Sequence, residues 1–165
     1  MRMFEKQQAE PFHSGEIYHL WSYLLHTKEY LVTLQVFNNH TGDQDLTDFL
    51  DDIWENGYKQ EDSQVETILK DAGIRLPPAP PDRPNVEVED IPAGARFNDP
   101  EIAHLVQKEL LAGKMLCSYI MGICVHEDIK TLFGEFHALK EEYDVKLAKI
   151  RKEKGWVVSP PINIK

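Results

Sequence analysis

The sequence predicts an all-α fold: an up-down four-helix bundle made of two repeated helical hairpins joined by a long Pro-rich crossover. Three observations predict it. The stretch Glu16-Ile17-Tyr18-His19-Leu20 returns as Glu101-Ile102-Ala103-His104-Leu105, and each copy opens an apolar run with helical spacing. Ala72-Gly73-Ile74-Arg75-Leu76-Pro77-Pro78 is answered by Lys154-Gly155-Trp156-Val157-Val158-Ser159-Pro160-Pro161, so the two halves also close alike. Between them, residues 74–98 hold Pro77, Pro78, Pro80, Pro81, Pro84 and Pro92, a density that no helix tolerates.

The first hairpin spans 14–73. Ser14 is expected to cap its first helix, which runs to His40 and stops at Thr41-Gly42 with the glycine left-handed. Ile17, Leu20, Trp21, Leu24, Leu31 and Leu34 recur at three- and four-residue steps and mark a buried face. Tyr18, Leu25, Val32 and Val36 form a second apolar strip beside it. The next helix starts at Asp43 or Asp45 and ends at Gly73. Leu46, Phe49, Leu50 and Ile53 give its first half a strong stripe, but Gly57, Gln60 and Gln64 fall where apolar residues are expected. The short turn between these helices forces them antiparallel.

The crossover, 74–98, carries Ile74, Leu76, Val86, Val88 and Ile91, which a free linker need not carry, so it is expected to pack along the bundle, with a disordered linker as the alternative. The second hairpin spans 99–155. Asp99 is expected to cap its first helix, with Pro100 at the first helical position, where a missing N–H costs nothing. Ile102, Leu105, Val106, Leu116, Ile120 and Ile123 make the stripe. The last helix begins near His126 or Asp128, carries Ile129, Leu132, Phe133, Phe136, Leu139, Tyr143, Leu147 and Ile150, and ends at Gly155. Residues 156–165 form an extended tail expected to fold back over the bundle end. Four long helices with one long crossover describe a ferritin-like bundle, with 1–165 as a single domain.

Composition narrows the function. A formal net charge of −10 over 165 residues disfavours nucleic acid and anionic membranes as partners. No apolar run reaches the ~18–20 residues that span a bilayer, so no membrane insertion is expected. The first residues lack the apolar core of a secretory signal, which predicts a cytoplasmic protein. The basic run from Lys146 to Lys154 complements the negative pole of the last helix. Cys117 and Cys124 lie about 10 Å apart along one helix, beyond the ~7 Å reach of a disulfide, and read as small apolar residues.

Glu-x-x-His on two helices is the pattern that holds iron or manganese in carboxylate bundles, which makes Glu16, His19, Glu101 and His104 the metal candidates. Rotation at about 100° per residue places each glutamate on the flank of its stripe and each histidine pointing away from it. Capping and surface duty is therefore the expectation, with no metal or other cofactor. His13 beside Glu16 leaves an exposed or inter-subunit metal site as the alternative. Glu109 falls within the third stripe, between Val106 and Leu116, level with Lys140 and Tyr143. The same register brings Gln60, Glu61 and Gln64 near. A buried polar layer of Glu109, Lys140, Tyr143 and Gln60 is expected, acting as an ion pair that fixes register; a degenerate metal or proton-transfer site is the alternative. His26, His126 and His137 read as partly exposed helical histidines. Phosphate-binding glycine loops and nucleophile elbows are absent, and no catalytic residue is expected.

Glu16-Ile17-Tyr18-His19-Leu20-Trp21, Ala95-Arg96-Phe97-Asn98-Asp99 and the two Gly-to-Pro-Pro endings resemble an uncharacterised ferritin-like family of endospore-forming bacteria, similar to spore coat protein F. The resemblance implies a spore coat or coat-associated protein without established catalysis, deposited on the forming coat, and carries over no catalytic residue. The leading expectation is a structural protein that assembles as a homodimer or with coat partners. Its motivation is the second apolar face of each hairpin's first helix: Leu25, Val32 and Val36 on one, Leu110, Cys117 and Met121 on the other. A metal-binding ferritin-like oxidase or storage protein is the alternative, and a small-molecule binder using the bundle interior, marked by a lined cavity near the polar layer, is a third class.

Overall fold

The computed structural model describes residues 10–164, and its regular structure is entirely helical. Helix α1 is Ser14–His40, α2 is Gln44–Asp52, α3 is Lys59–Asp71, α4 is Asp99–Ile123 and α5 is Glu127–Glu153. A π-helical turn, Ile53–Tyr58, joins α2 to α3 without a break, so four rods form the bundle.

The rods begin and end for local reasons. His13, not Ser14, caps α1: its Nδ1 accepts the Glu16 N–H at 3.0 Å, and Glu16 Oε1 accepts the His13 N–H at 3.2 Å. Asn98, not Asp99, caps α4 in the same reciprocal way with Glu101. In each case the side chain one residue earlier reaches the third N–H of the helix, a span the residue inside the first turn cannot make. Asp43 caps α2 through the Leu46 N–H at 3.1 Å. Gly73 (φ 71°) and Gly155 (φ 72°) end α3 and α5 left-handed. Gly42 does not: α1 ends with the Thr41 N–H on Phe37 O, and the chain passes directly into the Asp43 cap.

The π turn carries one residue more than a regular helix. The stripe that would continue through Gln60 and Gln64 passes instead through Tyr58, Glu61, Val65 and Leu69, all buried. Gln60 is exposed and donates to Glu55 O. Gly57 sits at the turn because α5 comes close there; a Cβ would lie 3.3 Å from both Ile53 Cγ1 and Tyr143 Cε2.

Neighbouring rods are antiparallel. Asn38 bonds Asp51 while Tyr23 bonds Glu61 across the first hairpin. Gln107 bonds Arg151 while the Lys130 ammonium reaches Met121 O across the second. The crossover is seated on α1: Trp21 donates to Arg75 O at 2.9 Å, Gln35 bonds Asp82 and the Arg83 N–H, and Asn39 bonds Pro84 O and the Val86 N–H. Ile74 and Leu76 pack on the core and Pro77 is buried. Beyond Trp156, which packs against the core, the tail does not return over the bundle end: Val158 is 92% and Ile162 81% exposed. Pro160 and Pro161 hold it extended and supply no donors to dock it.

Two apolar clusters divide the interior. One gathers Leu34, Leu46, Leu50, Ile102, Leu110 and Leu147 with their neighbours; the other gathers Leu20, Leu24, Val65, Leu69, Ile120 and Phe133. The polar side chains described next lie between them.

Candidate functional site

Lys140 reaches the bundle centre from α5 because α4 offers Gly113 opposite it: a Cβ there would lie 2.7 Å from Lys140 Cε. The Lys140 ammonium donates to Glu61 Oε1 at 2.5 Å, and Tyr23 donates to Glu61 Oε2 at 2.7 Å. Tyr23 Oη also lies 3.7 Å from Cys117 Sγ. The ammonium is 4.5 Å from the centre of the Tyr58 ring, within cation–π range. All these residues are buried. Beside them lies a chamber of about 120 Å³ bounded by Tyr23, Tyr58, Gly113 and Leu116, with His26 and Glu109 in its wall. The Tyr58 hydroxyl is buried without a protein partner.

Burial pushes the Cys117 thiol up to about 11, so little thiolate exists near neutral pH. Burial, reinforced by Glu61, also raises Tyr23 well above its ordinary value. His26 is raised too, chiefly by its hydrogen bond to Glu109.

The expected polar layer is thus placed differently in part. Lys140 and Tyr143 are buried, but Tyr143 bonds Asp52 O at 3.3 Å rather than Lys140. Glu109 is half-buried and pairs with His26 of α1 rather than with Lys140. Gln60 is displaced by Glu61, as the π turn requires.

The metal candidates do not converge. Antiparallel packing of α1 and α4 sends their N-termini to opposite ends, where Glu16 meets Val125 and His126 while Glu101 stays with Asn98. His19 stacks edge-on against Tyr119, and His104 Nδ1 lies 3.4 Å from the Arg151 guanidinium. Among the described residues, no three His, Cys, Asp or Glu side chains are grouped to hold a metal ion. Glu16 is not a surface residue: its side chain is fully buried, accepting from the Val125 N–H at 3.0 Å, the His126 N–H at 3.3 Å and His126 Nδ1 at 2.8 Å. Burial raises its carboxyl, yet the bonds from His126, His13 and Val125 outweigh that and bring it to about 2.

The apolar strips expected to mediate dimerisation are consumed within the chain. Val32, Leu110 and Cys117 are buried, and Leu25, Val36 and Met121 are half-buried, on α1 partly beneath the crossover. The bare apolar surface lies elsewhere, on the outward face of α4. Leu111, Ala112, Met115, Ser118, Tyr119 and Gly122 are exposed there, and none is charged.

The family described as "Protein of unknown function (DUF3231)" matches residues 2–165. The chain belongs to that family. Within DUF3231 it is similar to the uncharacterized protein YvdQ of Bacillus subtilis strain 168, 41% identical over 157 residues that cover 95% of this chain and 92% of YvdQ. It is also similar to the crystal structure of a "putative spore coat protein" from Bacillus halodurans C-125, 40% identical, with a TM-score of 0.91, covering 94% of this chain and 98% of that one.

Three features of this DUF3231 chain escape a reading of its sequence. Glu61 as the partner of Lys140 is hidden by the π turn, for which Gly57 in mid-helix is the one visible cue. The Glu16–His126 pair joins residues remote in sequence and leaves no periodic trace. The outward face of α4 escapes because the run from Leu111 to Ile123 is uncharged all round but for Lys114, whose ammonium turns to Glu141 and Asp144 on α5.

Proposed function

We propose that this protein is a coat-associated structural component of the endospore that acts by assembly rather than by catalysis, made in the cytoplasm and deposited on the forming coat. The likeness to the Bacillus halodurans structure over nearly the whole of both chains is the observation that carries the reading. The interior is compatible with it: Lys140, Glu61 and Tyr23 are engaged with one another, and Lys140 lines the chamber beside them. The uncharged face of α4 supports it from outside. In a chain of net charge −10, contact between copies is least opposed where no charge stands. The ferritin-like description of the bundle belongs to the same reading, as architecture without a resident metal.

The test is an immunoblot of coat extracts from purified spores of an endospore-former carrying an epitope-tagged copy, beside the mother-cell cytosol. Enrichment in the coat extract is expected. Confinement to the cytosol would overturn the reading. So would stoichiometric iron or manganese in protein purified without chelator, which would favour a metal-binding ferritin-like role.

A further inference from the structure

The two hairpins leave their second helices through similar sequences, yet only one of the exiting segments is covered. After Gly73 the chain lies along α1, anchored by Gln35 and Asn39. After Gly155 only Trp156 packs on the core, and from Val158 the chain is largely exposed. The positions that answer Gln35 and Asn39 in the second hairpin are Ile120 and Cys124, which offer no side-chain amide to an extended backbone. The tail therefore lacks, on its own hairpin, the anchors that seat the crossover.

The exposed tail has the pattern of a one-faced strand. In extended chain Val158, Pro160, Ile162 and Ile164 share a side. Val158, Ile162 and Ile164 are its most exposed apolar residues, and residues 156–164 carry no charge. From Leu111 to Gly122 the outward face of α4 is likewise without charge, and Lys108 bounds it one turn earlier. Its exposed Leu111 and Tyr119 stand about 12 Å apart along the helix, at a rise of ~1.5 Å per residue. Val158 and Ile162 stand about 13 Å apart in an extended strand. Tyr18, 65% exposed, prolongs the apolar face beyond Tyr119, since His19 beside it stacks on that ring.

We infer that residues 157–164 of one copy lie on the outward α4 face of a second copy, and reciprocally, closing a two-fold pair. The inference rests on the assembly reading above and names its contact. Reciprocal exchange closes the assembly, whereas a one-way contact would propagate.

The experiment compares the full chain with Met115→Lys, which spoils the face, and Ile162→Asp, which spoils the tail, by light scattering after gel filtration at high micromolar concentration. Both side chains are exposed, and circular dichroism checks that both variants fold. The parent is expected at twice the 19.1 kDa chain mass and each variant alone at one chain mass. An equal mixture should regain a pair, because one variant keeps an intact tail and the other an intact face. A paired Ile162→Asp protein would overturn the inference by showing that α4 meets something other than the tail. A parent that stays at one chain mass would overturn it too. Coat incorporation is scored separately: presence in the coat without pairing sinks this inference alone, and pairing without presence in the coat sinks only the coat reading.

Discussion

Lys140 Nζ and Glu61 Oε1 stand 2.5 Å apart in the middle of the bundle, with both side chains almost wholly shielded from water. A buried pair of this kind adds little net stability over apolar residues, because desolvation offsets the attraction. Removing one partner is another matter, since the other is left charged without compensation.

Lys140→Met or Glu61→Leu alone should therefore lose about 3–5 kcal/mol, and the double substitution much less than the two losses together. Urea unfolding of all four proteins checks this. Additive losses would mean that the two groups do not act as a pair.

Glu16 makes stability depend on pH. Its folded carboxyl lies at about 2 against an ordinary 4.5, a difference worth about 3 kcal/mol at neutral pH. A lowered carboxyl stabilises fully above 4.5 and is lost as pH falls toward 2. His126 is raised, first by its bond to Glu10 O and then by Glu16, so its contribution is complete below 6.5 and fades as pH rises through its folded value. Urea midpoints measured against pH should fall on the acid side, and Glu16→Gln should flatten that fall.

Gly113→Ala sets two effects against each other. Alanine in mid-helix gains up to about 1 kcal/mol, while a methyl group 2.7 Å from Lys140 Cε costs about 1–3 kcal/mol by crowding. Crowding should win, because Lys140 cannot retreat without leaving Glu61. A thermal melt showing Gly113→Ala more stable than the parent would contradict that ordering.

The π turn predicts which single-residue deletion is tolerated. Deleting the exposed Asn56 restores a regular helix and leaves Glu61, Val65 and Leu69 facing inward, at a cost of about 2 kcal/mol or less. Deleting the exposed Ser63 rotates Val65 and Leu69 by about 100° relative to Glu61 and should cost more. Comparing the two melts decides it.

The helices were legible because their boundaries are written locally. Gly73 and Gly155 need left-handed backbone where the helices stop, and Asp43 is a cap on composition alone. The polar layer was legible only by halves. Lys140 and Tyr143 follow from the α5 stripe, which is regular from end to end. Glu61 lies past the π turn, where counting at 3.6 residues per turn is out by one, so the count lands on Gln60. Glu109 was placed by its own hairpin, whereas its partner His26 comes from the other one. Contacts between hairpins depend on how the rods are set side by side, and periodicity within a rod says nothing of that.

Glu16 at one end, and Asp99 and Lys154 at the other, fasten the same two hairpins together. At one end the Glu16 carboxylate holds the Val125-His126 corner; at the other Gly42 N–H bonds the Asp99 carboxylate, and Lys154 bridges Asp43 and Asp45. A bundle clasped at both ends has no jaw to open, so two molecules cannot trade whole hairpins without first unfastening each of them. Under the pairing inferred above, contact between molecules would therefore leave each bundle closed and fall to the short peripheral tail.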